Sequence, residues 1–167
     1  MGEKIVVLFL PDQHLGRNTA AEMGYDVNTQ MCVWDPRTAE PLGGNDAQTL
    51  RDASIILWKG HCSVHKLFRP EHVDQARAAD PNIHVMVHPE CDHSVVLKSD
   101  STGSTEGIMA AIEAAEPGST WAIGTEVHLV NRLAKQAAAR NVSVRILSDC
   151  QCLCTCLLYT SPSPRDA

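Results

Sequence analysis

The chain has 167 residues, of which 44% are hydrophobic, 20% charged and 4% aromatic, and its formal net charge is −6. That is enough apolar material for one or two cored α/β units, and it argues against collagen-like, disordered and membrane classes. Binding to a nucleic-acid backbone needs clustered Lys and Arg, and base stacking needs aromatics, so a small-molecule partner is favoured over nucleic acid.

Taken in chain order, the apolar run at 5–10 stops at Pro11-Asp12. It is too short for a signal-peptide core or a membrane span and reads as a buried strand. A helix is expected over 15–23. The stretch 25–45, carrying Pro36, Pro41 and Gly43-Gly44, reads as a surface excursion around a short strand at 32–34. Then follow a helix at 47–53, a strand at 54–58, a helix at 70–79, a strand at 83–87, a helix at 105–115, a strand at 120–123, a helix at 127–140 and a strand at 142–147. Strands alternating with helices mark a parallel α/β sheet. The helix at 127–140 has the clearest apolar stripe, through Val127, Val130, Leu133, Ala134 and Ala137, with Arg140 in its last turn and Asn141 as its C-terminal cap.

The two halves echo each other. A strand followed by Asp12-Gln-His14-Leu15 recurs as a strand followed by Glu126-Val-His128-Leu129, and each acidic-x-His-Leu opens a helix. Downstream, the strand at 54–58 leads to Cys62 and the strand at 142–147 leads to Cys150, Cys152 and Cys154. On this basis the chain divides near Asp80-Pro81 into units 1–80 and 81–155. The remainder, 156–167, has no periodicity and two Ser-Pro steps; it is similar to translated adapter sequence and is set aside as a non-native tail.

Chemistry should collect beyond the carboxyl ends of parallel strands. Asp12, His14, Lys59, His61, Cys62, His65, His88, Glu90 and Glu126 all fall there. Seven cysteines without an export signal suggest reduced thiols or metal ligation in a cytoplasmic protein. Cys62 offers a soft thiolate for iron–sulphur or zinc, with Gly60 allowing close approach of a bulky ligand, although a buried apolar cysteine is the commoner use of the residue type. His65 reads equally as a ligand or acid–base group and as a solvated histidine at a helix start. Among Cys150, Cys152 and Cys154, spaced to share one strand face, residue chemistry alone does not choose a ligand. Cys32 and Cys91 read as structural. His88-Pro89-Glu90 pairs an imidazole with a carboxylate, a combination suited to moving protons near neutral pH. Gly103-Ser104-Thr105 before a helix offers N–H groups and hydroxyls to an anion, or else is a plain N-cap.

Five ordered segments carry a resemblance to a known family: Phe9-Leu-Pro-Asp-Gln-His-Leu-Gly-Arg-Asn18, Trp58-Lys-Gly-His-Cys-Ser-Val-His65, Val87-His-Pro-Glu-Cys91, Gly103-Ser-Thr105, and Ile123-Gly-Thr-Glu126 with Leu129-Val-Asn-Arg-Leu133. The chain resembles the quinolinate synthases, iron–sulphur enzymes of NAD biosynthesis. The resemblance implies three-layer parallel α/β domains, three to a protein, each giving one cysteine to a [4Fe–4S] cluster with one open iron. It implies condensation of iminoaspartate with dihydroxyacetone phosphate to quinolinate, and a functional link to L-aspartate oxidase. It assigns Cys62 and Cys154 as cluster ligands, His88 and Glu90 as catalytic and substrate-binding residues, and Ser104 and Thr105 as substrate-binding residues. It also implies that the first domain and the start of the second lie outside this sequence, so the chain alone is expected to be inactive. The alternatives from the residues themselves are a non-catalytic anion-binding α/β module, or a zinc module centred on Cys150, Cys152 and Cys154.

Overall fold

The computed structural model describes residues 5–148 and contains two parallel sheets. The first is built from β1 (Val7–Phe9), α1 (Gln13–Glu22), β2 (Met31–Trp34), α2 (Ala47–Asp52) and β3 (Ile55–Trp58), with strand order β1-β3-β2. The second unit runs α3 (Pro70–Ala79), β4 (His84–Val87), α4 (His93–Lys98), β5 (Ser101–Thr102), α5 (Thr105–Ala114), β6 (Thr120–Gly124), α6 (Val127–Ala138) and β7 (Ser143–Ile146), with order β5-β4-β6-β7. Every strand pairing is parallel, as the alternation requires.

Period-two alternation explains the layers of the second unit. Met86, Ile123 and Val144 point to one face and share a core with Ile108 and Ile112 of α5 and Val130 and Leu133 of α6. Val85, Val87 and Ala122 point to the other, against Val73 and Ala76 of α3 and Val95 of α4. The result is three layers, with strands apolar on both faces. Helix α3, on the N-terminal side of the Asp80-Pro81 step, thus packs its buried residues on the second sheet.

In the first sheet, Ile55 and Leu57 face Met31 and Ala20 of α1. Gly16 allows that approach, since a Cβ there would lie 2.7 Å from a methyl of Leu57 and 2.6 Å from the Phe9 ring. The expectation of a buried first strand is corrected: Ile5 is 84% exposed, Leu8 53% and Leu10 52%, and β1 is an edge strand. Its apolar run does face the core through Phe9, but nothing among the described residues covers the opposite side. Asn141 has φ 60°, the left-handed turn residue expected after α6, and Arg140 donates to the Ile112 and Glu113 carbonyls at the end of α5.

The connection from β4 to β5 runs through α4 on one face, and that from β6 to β7 through α6 on the other. A switch of this kind leaves a crevice beyond the carboxyl ends of β4 and β6. No helix among the described residues is long and apolar enough to cross a membrane.

Candidate active site

Two loops of the first unit meet before the crevice forms. Asp12, 5% exposed, caps α1: its Oδ1 accepts from His14 N at 2.7 Å and Leu15 N at 2.9 Å. Its Oδ2 accepts from Cys62 N at 2.7 Å, so one carboxylate starts a helix and holds the loop after β3. Gln13 N donates to Gly60 O at 3.0 Å. A Cβ on Gly60 would lie 1.9 Å from the Pro11 carbonyl oxygen. The close approach that Gly60 permits is therefore to the neighbouring backbone, where the sequence suggested a bulky ligand.

His65 sits in a single 3-10 turn, His65–Leu67, and is 7% exposed, which places it inside the site and not on a solvated helix start. Its Nδ1 lies 2.8 Å from Glu90 Oε2, off the line of a ring N–H hydrogen bond, and its Nε2 lies 3.2 Å from Thr125 Oγ1. The His65 and His88 rings stack with centroids 4.4 Å apart and 18° between planes. His88 leaves β4 by donating its N–H to Gly124 O, and Glu90 N donates to His88 Nδ1 at 3.2 Å. β3, β4 and β6 thus each deliver a side chain to one point. Donor atoms of Cys62, His65 and Glu90 all lie within 4.8 Å of one another.

Charge follows from this packing. Burial opposes protonation of His65, but Cys62 and Glu90 beside it outweigh burial and raise its pKa to about 9. Burial likewise opposes ionisation of Cys62, yet the His65 proton holds that thiol below its ordinary value. Glu90 is held down chiefly by its contact with His65. His88 is pushed down by burial and then by the His65 cation. At neutral pH His65 is an imidazolium beside the Glu90 carboxylate and a Cys62 thiol whose ionisation it favours, stacked on a neutral imidazole whose Nδ1 accepts and whose proton is on Nε2.

These groups line a cavity of about 1140 Å³. A model of the family described as "Quinolinate synthetase A protein" matches residues 1–163. The chain belongs to the quinolinate synthase family. The chain is 54% identical to a quinolinate synthase of Acidobacterium capsulatum over 93% of its own length and 41% of that protein. It is 52% identical to one from a Nocardioides species over 87% of the chain and 36% of the relative, and 50% identical to one from Streptomyces coelicolor over 92% and 38%. It therefore spans about two fifths of the length of these curated relatives. The family match runs past Thr155 into the segment set aside as a tail.

Among the residues that the quinolinate synthase resemblance singled out, Cys62, His88, Glu90 and Thr105 line the cavity. Ser104 is exposed and caps α5, its Oγ accepting from Gly107 N at 3.2 Å. Cys154, with Cys150 and Cys152, lies outside the described residues. Cys32 and Cys91 are buried, and Cys91 Sγ lies 3.7 Å from the Gly124 carbonyl rather than in the cavity. His14 is kept neutral mainly by burial, with Nδ1 3.7 Å from Asp92 Oδ2, and His128 lies at the cavity mouth, its side chain 72% exposed.

The chemistry of the donor set fits a metal at Cys62, a half-buried thiol with its pKa lowered, opening on the cavity beside His65 and Glu90. Sequence reading placed Lys59 at a strand end but missed the two arginines. Arg37, Lys59 and Arg132 line the same cavity from the loop after β2, the end of β3 and the exposed side of α6. Lys59 Nζ pairs with Asp35 at 2.7 Å, whereas Arg132 donates to the Met109 sulphur at 3.6 Å and forms no ion pair among the described residues. Arg132 falls on the helical face that includes neighbouring His128, a signal available in the sequence; Arg37 lies in a stretch whose position depended on β2 pairing with β3.

Proposed function

We propose that this chain forms part of a quinolinate synthase of NAD biosynthesis, condensing iminoaspartate with dihydroxyacetone phosphate in the cavity at the switch point. The observation that carries this reading is the convergence of Cys62, His65, His88 and Glu90 from the ends of β3 and β4 in a chain of this family. Cys62, with Cys154 by resemblance, would hold a [4Fe–4S] cluster, which when bound supplies a Lewis-acidic iron. Glu90, kept ionised by His65, accepts a proton from substrate. Neutral His88 turns Nε2–H outward as a donor to a substrate oxygen, its Nδ1 being fixed by Glu90 N. Arg37, Lys59 and Arg132 attract the carboxylates and phosphate of two anionic substrates into a protein of net charge −6. L-aspartate oxidase is the functional partner that would supply the imine.

The test is Glu90→Gln in the complete gene, read as quinolinate formed from the two substrates. Loss of a general acid–base group should lower turnover about 100-fold or more while the protein stays folded; full activity would remove Glu90 from the chemistry. Expressed alone and reconstituted anaerobically, the 167-residue chain should neither hold a stable cluster nor turn over; ~4 irons per chain with turnover would overturn that part. A single-ion site on Cys62, His65 and Glu90 is the second reading, favoured by donors within 4.8 Å of one another. Metal analysis separates the two, since zinc without sulphide belongs only to the latter.

A further inference from the structure

We propose that helix α1 is a strut that sets the spacing between the two halves of the site, with Asn18, oriented by His93, as its positioning residue. The inference rests on Cys62, His65, His88 and Glu90 being the working groups, but it concerns how they are held.

The halves belong to different sheets. Cys62 and His65 follow β3 of the first, His88 and Glu90 follow β4 of the second, and no strand of one sheet pairs with a strand of the other among the described residues. Helix α1 is fastened to both. At its start, Asp12 Oδ2 accepts from Cys62 N at 2.7 Å and Gln13 N donates to Gly60 O at 3.0 Å. Six residues on, about 9 Å along the axis at 1.5 Å per residue, Asn18 crosses to the second unit. It is 7% exposed, and its Nδ2 donates to Pro89 O at 2.7 Å and Cys91 O at 2.8 Å, the two carbonyls that flank Glu90.

The amide has one workable orientation. Its Oδ1 lies 2.7 Å from His93 Nδ1, the first residue of α4, which donates to it. Flipped, the oxygen would face two carbonyl oxygens and strand both. Asp in its place meets the same repulsion, and Leu leaves both carbonyls without a donor. Rigid helix, in place of loop, thus spans from the Gly60–Cys62 backbone to the Pro89–Cys91 backbone. That span accounts for His65 meeting Glu90 at 2.8 Å and stacking on His88 at 4.4 Å. Asn18 reaches no cavity group itself and acts through the Glu90 loop.

The test is proton NMR of the 167-residue chain with labelled histidines, read as the cross-relaxation peak between the His65 and His88 rings. The wild type should show it. Asn18→Ala should lose it while the β6 and β7 amide shifts stay in place. Ala20→Gly, which weakens the same helix through the core, should lower the melting temperature and keep the peak, so a merely structural role for Asn18 would behave like Ala20→Gly. If Asn18→Ala does not fold, His93→Ala takes its place, because it keeps both amide donors and frees their orientation; a weakened peak is expected. A wild-type peak in Asn18→Ala, or in His93→Ala when that is the folded variant, overturns the strut. The readout is a distance, so it can fail while Glu90→Gln still abolishes turnover, and hold when it does not.

Discussion

His65 draws its charge from two neighbours that can be removed one at a time. Its pKa near 9 should fall in Glu90→Gln and again in Cys62→Ser, as followed by histidine chemical shifts against pH. Stability carries the same information. The raised value of His65 contributes stability that is complete below 6.5 and lost as pH rises through about 9. Cys62, held below its ordinary 9.0, contributes stability present above 9.0 and lost as pH falls through its folded value. Between these limits the two slopes oppose. Urea titrations of the wild type should therefore decline with pH less steeply than His65 alone would give, and Cys62→Ser, which lacks the opposing slope, should reveal a decline that begins at 6.5. A flat profile in the variant would mean that Glu90 alone does not hold a proton on His65. Gly60→Ala is the steric counterpart: a Cβ 1.9 Å from the Pro11 carbonyl has only backbone to displace, so a loss of about 2–3 kcal/mol is expected from thermal or urea unfolding.

Helices α1 and α6 open in the same way, which gives the internal echo a physical content. Asp12 accepts from the second and third N–H groups of its helix, and so does Glu126, at His128 N and Leu129 N. Only Asp12 also holds a distant backbone group, Cys62 N. Glu126→Ala should then cost about 1 kcal/mol for a lost cap, whereas Asp12→Ala should cost about 2–3 kcal/mol because a further N–H is left without its acceptor; equal losses by urea unfolding would mean that the Cys62 bond contributes nothing. Caps of this kind were legible in the sequence, as were strands such as β4 and β6, whose residues are apolar on both faces. α4 and β5 were not: six and two residues show no period, and their only marker is Asp92, which accepts from Ser94 N. The site was legible as strand ends but not as partners. His65 and Glu90 are 25 positions apart, and their contact follows from how the two sheets meet through α1. Asn18 ended one of the resembling segments without a role, since a polar residue in a helix reads as solvent-facing until the loop across from it is known.

At the scale of the whole molecule, charge and apolar surface are both unevenly spread. Net charge is −6, yet Arg37, Lys59 and Arg132 gather around one cavity, so association of an anionic ligand should slow as salt is raised. Ile5, Leu8 and Leu10 leave β1 an exposed apolar edge among the described residues. Edges of that sort pair with other chains. The 167-residue chain is expected to self-associate with rising concentration in light scattering, and Leu8→Lys to reduce it; equal association would clear β1. The buried thiols have a practical consequence. Burial pushes Cys32 and Cys91 up, while Cys62 is held down beside an imidazolium. Only the thiolate reacts with alkylating agents. A short pulse of iodoacetamide on the folded chain should therefore mark Cys62 ahead of the other two, and any occupant that shields it becomes measurable as a missing mass tag on a single peptide.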